Sequence, residues 1–269
     1  MLEVERGAMV LLLSGTSEGR GLGTRLRAAG LPFVASVTTP EARALFAEIN
    51  PTPEVLVTRF SGDLLDAFLR ERQVCAILDA THPFAHRISA KAIQAAAQAN
   101  IVYVRYERPT STLSAEAEEI IVVPDLEAAA RLCLERGTRI FLTTGAKTLQ
   151  TFREVMARKL VMARILPTVA SLTQALEVGL MPAQILALRG PFSRALEGAL
   201  LREYRIDLLV TKESGAVGGL ETKLAAAADV RVPAVVVSRP QLQYPNLCHD
   251  LEQAVSTVIA LMGKGVSYG

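Results

Sequence analysis

The sequence predicts an α/β protein of two domains, each a mainly parallel sheet flanked by helices, with a crevice between them. Three observations predict it. Half of the 269 residues are apolar, yet Trp is absent and aromatics make up only 5%, so Ala, Leu and Val must fill the core. Such a core suits helices packed on buried parallel strands. Short apolar runs alternate with helix-length segments, the pattern of βαβ units. Glycines, hydroxyls and basic residues then recur just after the apolar runs, where open α/β sheets bind ligands. The length allows one large or two medium domains.

Composition narrows the function classes. A formal charge of +2 is too near neutral for general nucleic-acid binding, so anion recognition must be local. No stretch approaches the ~20 uninterrupted apolar residues of a membrane span. Met1 to Ala8 carries Glu3, Glu5 and Arg6 and no apolar core, so it reads as a tail rather than a signal peptide, with Met9 a second candidate start. Cys75, Cys133 and Cys248 are widely spaced and odd in number, which suits reduced thiols in the cytoplasm and offers no metal-ligand spacing.

The first element is the apolar run Met9 to Leu13. It leads through Ser14-Gly15-Thr16-Ser17-Glu18-Gly19 into Leu22-x-x-x-Leu26, which has helical spacing. A helix N-terminus offers unpaired N–H groups and partial positive charge; Gly15 lets a phosphate approach, and Thr16 and Ser17 can donate to it or cap the helix. Gly19, Gly21 and Gly23 do not complete G-x-G-x-x-G, and no P-loop occurs, so an ordinary strand-to-helix turn fits this stretch equally.

Phe33 to Val37 reads as the second strand. It ends in Thr38, Thr39 and Pro40, with Arg43 one turn later, groups that suit a 2′-phosphate as well as a capped helix start. NADP rather than NAD is therefore expected. Val55 to Thr58 is the third strand, followed by a helix from Asp63. Val74 to Leu78 is the fourth, ending in Asp79-Ala80-Thr81-His82-Pro83-Phe84. Two of the three histidines, His82 and His86, stand here, and Pro83 biases His82 to extended backbone. Thr81 and His82 are expected to face a ligand. Ile101 to Arg105 is the fifth strand, after which Arg105 and Arg108 could meet anions or pair with Glu107. Thr110 to Glu119 is small and polar and marks a linker, which divides the chain into domains 1–115 and 116–269.

The second half repeats the plan. Arg139 to Thr143 ends in Thr144-Gly145-Ala146-Lys147 and then a helix; Leu160 to Ile165 ends at Pro167-Thr168. Ile185 to Leu188 ends in Arg189-Gly190-Pro191-Phe192-Ser193. Asp207 to Val210 ends in Thr211-Lys212-Glu213-Ser214-Gly215-Ala216-Val217-Gly218-Gly219, and Ala234 to Val237 ends in Ser238-Arg239. Strand ends on one edge converge, so Lys147, Arg164, Arg189, Lys212 and Arg239 are expected to line one crevice and meet a polyanion. The Gly215 to Gly219 loop could cradle a carboxylate or phosphate, with Glu213 orienting Lys212.

Together these motifs resemble the precorrin-6A reductase family of cobalamin biosynthesis. The resemblance is carried by S-G-T-S-E-G at 14–19, D-A-T-H-P-F at 79–84, R-Y-E-R-P at 105–109, T-T-G-A-K at 143–147, R-G-P-F-S at 189–193 and T-K-E-S-G-A-V-G-G at 211–219. It implies two Rossmann-like domains and an NADPH-dependent oxidoreductase that delivers hydride to a carboxylated tetrapyrrole, converting precorrin-6A to precorrin-6B. Given that cofactor, Gly15, Thr16 and Ser17 are expected to hold its pyrophosphate, with Glu18 also on the cofactor side, Thr38, Thr39 and Arg43 to face the adenosine phosphate, and Thr81 and His82 to lie near the nicotinamide. Lys147, Arg189, Ser193, Lys212, Ser214 and Gly215 fall on the substrate side, with His82 and Lys212 the candidate proton donors. Two positions depart from the family pattern: Ser14 replaces a glycine, and Ala216 another. The expected setting is the cytoplasm, with neighbouring pathway enzymes as further partners and neither nucleic acid nor membrane. A cobalt-bearing substrate and a non-catalytic NADP-sensing module are the alternatives; a short-chain-type reductase is disfavoured because no Tyr-x-x-x-Lys occurs.

Overall fold

A computed structural model describes residues 9–15, 17–110, 119–215 and 218–263. The chain forms two compact units. One comprises the chain to Pro109 together with the stretch from Gln241; the other is Thr110–Pro240.

In the first unit, β1 (Met9–Ser14), α1 (Ser17–Ala28), β2 (Phe33–Val37), α2 (Pro40–Arg43), β3 (Glu54–Val57), α3 (Gly62–Glu71), β4 (Val74–Ala80), α4 (His86–Ala99) and β5 (Val102–Tyr106) alternate. The return segment adds β12 (Leu247–Cys248) and α10 (Leu251–Met262). The sheet order is β12-β5-β4-β1-β2-β3, with every pairing parallel. Val10 to Leu13 are buried on both faces, which is why this strand is a continuous apolar run. Gly23 lets α1 close on the sheet, since a Cβ there would lie 3.0 Å from Ile49 and 3.2 Å from Phe33.

The second unit contains β6 (Ile120–Val123), α5 (Leu126–Glu135), β7 (Arg139–Leu142), a 3₁₀ segment (Ala146–Phe152), α6 (Arg153–Arg158), β8 (Leu160–Ile165) and α7 (Val169–Glu177). It continues through β9 (Ile185–Ala187), α8 (Arg194–Glu203), β10 (Leu208–Lys212), α9 (Leu220–Asp229) and β11 (Ala234–Val237). Its sheet order is β6-β11-β10-β7-β8-β9, again all parallel.

The second domain does not run to the C-terminus as 116–269 implied. Residues from 241 return to the first unit, where Ala254, Val255 and Val258 of α10 join the core with Leu22, Leu26 and Val104. The amphipathic pattern of α10 shows that it covers a sheet, not which one. Two strands were missed. β6 is an edge strand with Val122 half exposed, and β12 spans only two residues, too short to show alternation. Lys147 enters a 3₁₀ segment rather than an α-helix. No helix among the described residues is long and apolar enough to cross a membrane.

Val258 is fully buried in the first unit's core. Val258→Ala is expected to cost about 2 kcal/mol by urea denaturation, whereas Leu160→Ala, at a site 58% exposed, is expected to change stability by less than about 0.5 kcal/mol.

Candidate functional site

Each sheet reverses its strand order at one point, between β1 and β4 in the first unit and between β7 and β10 in the second. Open α/β sheets bind ligands outside the strand C-termini at such points.

In the first unit, Gly15 is exposed at the end of β1, and a Cβ on it would meet nothing within 4 Å. Helix α1 begins at Ser17, so its N-terminus faces the same edge. A Cβ on Gly19 would fall 1.7 Å from Ser14 Oγ, so the helix sits directly on that hydroxyl. Ser14 Oγ is buried with no hydrogen-bond partner among the described residues. Ser17 Oγ donates to Glu18 at 3.1 Å, and Glu18 Oε1 lies 3.1 Å from Arg108 Nε, which ties the first helical turn to the chain after β5. Thr16 lies outside the described residues.

At the end of β2, Thr38, Thr39 and Arg43 are exposed. Thr39 also caps α2 by accepting from Ala42 N–H at 3.3 Å. Arg43 engages no carboxylate among the described residues and is available to an anion.

The end of β4 is built differently from the expectation. Asp79 and Arg105 are fully buried and paired, with Arg105 Nη1 donating to Asp79 Oδ1 at 2.8 Å. The same Oδ1 accepts from Thr81 N–H at 2.9 Å and Thr81 Oγ1 at 2.7 Å, and Arg105 Nη1 donates to Thr81 Oγ1 at 3.0 Å. Tyr103 Oη donates to Asp79 Oδ2 at 2.8 Å. Burial and the neighbouring Asp79 charge push the Tyr103 phenol far up, so it stays a donor. The Thr81 hydroxyl is thus occupied in holding its own loop. Arg105 is taken up by Asp79 and by Glu107, at 3.5 Å, and Arg108 meets Glu18. Tyr244, from the return segment, lies under the Arg105 guanidinium at 5.4 Å. His82 Nδ1 accepts from Phe84 N–H at 3.2 Å, which places the proton of the neutral ring on Nε2. A small polar pocket at this edge is lined by Glu18, Thr81, Arg105 and Arg108 among others.

In the second unit, β7 and β10 bring the Thr143–Lys147 and Lys212–Gly215 stretches to one edge. Lys147 is exposed; Lys212 is more enclosed, and burial followed by the nearby Lys147 charge pulls its pKa down to about 8. Ser214 and Gly215 are buried beside it, Gly215 at φ +72°, a backbone region glycine favours. Ser214 Oγ lies 1.9 Å from where a Cβ on Gly218 would stand. Ala216 lies outside the described residues. Arg189 is exposed beyond β9, and Ser193 Oγ caps α8 by accepting from Leu196 N–H at 3.2 Å.

The five-cation crevice is corrected here. Arg164 is buried and donates to Glu197 at 2.8 Å, between the rings of Phe141 and Phe192. Arg239 pairs with Glu213, whose Oε1 also accepts from Gly215 N–H at 3.2 Å. Glu213 therefore orients Arg239 and the loop. Lys147 and Arg189 are exposed and Lys212 is partly enclosed. Sequence reasoning missed Lys223, a buried lysine in the first turn of α9; the signal was a lysine at helical spacing from Leu220 and Ala227, on the apolar face of that helix.

Comparison with known proteins agrees in both sequence and fold. The family model described as precorrin-6x reductase CbiJ/CobK matches residues 9–259. A cobalt-precorrin-6A reductase from Priestia megaterium is 34% identical over 93% of this chain and 98% of its own length. A precorrin-6A reductase from Rhodococcus erythropolis is 37% identical over 87% of this chain and 90% of its own. A solved structure titled CobK precorrin-6A reductase superposes with a TM-score of 0.76 at 27% identity, covering 97% of this chain and 100% of that one.

The contact between Gly19 and Ser14 makes a clean test. Gly19→Ala is expected to destabilise the protein by about 1–3 kcal/mol. The same change in a Ser14→Gly background is expected to recover most of that loss, read by urea denaturation of the single and double variants.

Proposed function

The chain belongs to the precorrin-6x reductase family and is a reductase; on that premise we propose that it reduces precorrin-6A to precorrin-6B with NADPH. The observation that carries the cofactor half is the turn after β1, where open space at Gly15, the Ser14 hydroxyl with no partner among the described residues and the start of α1 form a cradle for a pyrophosphate. These residues fit a dinucleotide, and the strand order around them is the one that positions it. When bound, NADPH supplies the hydride.

The chain's own residues do the rest. Gly15, Thr16 and Ser17 hold the pyrophosphate, while Glu18 pairs with Arg108 and so keeps its charge from opposing it. Thr38, Thr39 and Arg43 take the 2′-phosphate. The Asp79–Arg105 pair locks Thr81 and presents the loop carrying His82 beside the nicotinamide. Lys147 and Arg189 hold carboxylate arms of the macrocycle, with Ser193, Ser214 and Gly215 shaping that edge. Lys212 donates the proton that balances the hydride: its ammonium, with a pKa of about 8, is an adequate acid at neutral pH and is reprotonated from solvent. Relatives carry both metal-free and cobalt-precorrin names, so both substrates belong in the assay.

Calorimetry should find NADPH bound at least about tenfold more tightly than NADH, a preference that Arg43→Ala abolishes. Binding of neither nucleotide would overturn the reading. The reactive form of Lys212 is the ammonium, present below about 8 and lost as pH rises. The rate should therefore fall above that pH in the wild type. Lys212→Met should lower kcat by about 10²–10⁴ and remove this limb of the profile.

A further inference from the structure

Lys223 is a buried cation with no part in the hydride and proton transfers. It is 8% exposed on the face of α9 otherwise formed by Leu220, Leu224, Ala226 and Ala227. An ammonium there loses hydration that an apolar residue would not, so its contacts are informative. Its Nζ donates to the Gly218 carbonyl at 2.9 Å and to Thr211 Oγ1 at 3.4 Å. Thr211 immediately precedes Lys212, and Gly218 rests on the Ser214 hydroxyl with no room for a Cβ. Gly218 N–H donates in turn to Gly215 O at 3.0 Å. The two contacts of one ammonium therefore join Thr211 at the end of β10 to Gly218 at the start of the turn into α9.

We propose that Lys223 is a positioning residue of this edge, latching Gly218 to Thr211 so that the Lys212–Ser214 segment is held in place where a carboxylate arm of the substrate docks. The inference rests on the substrate reading above and deepens it.

Electrostatics supports the geometry. Arg164 from β8, Glu197 from α8 and Lys212 from β10 act on Lys223, and Glu197 is already engaged by Arg164. The cluster thus holds an excess of positive charge with little water. Burial, then Arg164 and Lys212, pulls the Lys223 pKa down to about 8, with Glu197 opposing. A carboxylate arriving at this edge relieves the repulsion, so binding near that pH takes up protons. In the free protein the sign is fixed by the same shift. The unfolded chain, with an ordinary lysine pKa, holds more protons above about 8 than the folded one, so stability rises with pH in that window.

The test compares the full-length wild type with Lys223→Met and Lys223→Arg. Calorimetry with precorrin-6A should show about tenfold weaker binding in Lys223→Met, with NADPH binding unchanged and Lys223→Arg restoring affinity to within about threefold. Proton uptake on binding, read in two buffers of different ionisation enthalpy, should shrink in Lys223→Met. Thermal melts should show a smaller gain in stability with rising pH for that variant than for the wild type. Unchanged precorrin-6A affinity, or equal weakening of precorrin-6A and NADPH, would reduce Lys223 to a structural prop and overturn the proposal. Wild-type protein that binds precorrin-6A but never turns it over would sink the reductase reading, and the latch would stand on the binding data alone.

Discussion

Both units depend on one constraint: every strand runs parallel to its neighbours, so each connection must cross a face of the sheet. All strand C-termini of a unit then fall on one edge. Residues distant in sequence, such as Ser14 and Thr81, or Lys147 and Lys212, meet there without any special contact between them. The helices that make the crossings bring their N-termini to the same edge, which adds partial positive charge where an anion would sit. Chemistry at strand ends is a consequence of the topology.

Buried ion pairs stiffen these edges. Asp79–Arg105 lies behind the first, and Arg164–Glu197 and Glu213–Arg239 lie behind the second. Such pairs contribute little net stability against apolar replacements, because desolvation offsets attraction. Their value here is geometric. One carboxylate oxygen of Asp79 takes three donors and thereby fixes the backbone and the hydroxyl of Thr81. Glu213 joins Arg239 to the Gly215 amide in the same manner.

The two candidate sites share a second device. In each, a serine at or just beyond a strand end lies under a glycine of the following turn or helix, Ser14 under Gly19 and Ser214 under Gly218. The Ser14 side chain is accommodated because Gly19 has none. This close approach sets the height of the helix above the edge, and a single methyl group would alter it.

The sequence by itself determined the α/β class, the strand-and-helix alternation and which strands end in glycines, hydroxyls and basic residues. Each rests on local signals: apolar runs, glycine turns, hydroxyls after strands and their order along the chain. Several strands, such as Phe33–Val37 and Leu160–Ile165, were legible to the residue because their apolar runs are sharply bounded. Only the tertiary structure decided which cations are available. Arg105, Arg164 and Arg239 look like ligand residues in one dimension, yet each has a carboxylate brought to it by another element. It also decided that residues from 241 complete the first unit, and that Lys223 lies beneath Gly218. Pairing across elements depends on distance in space, and a single chain of letters does not record it.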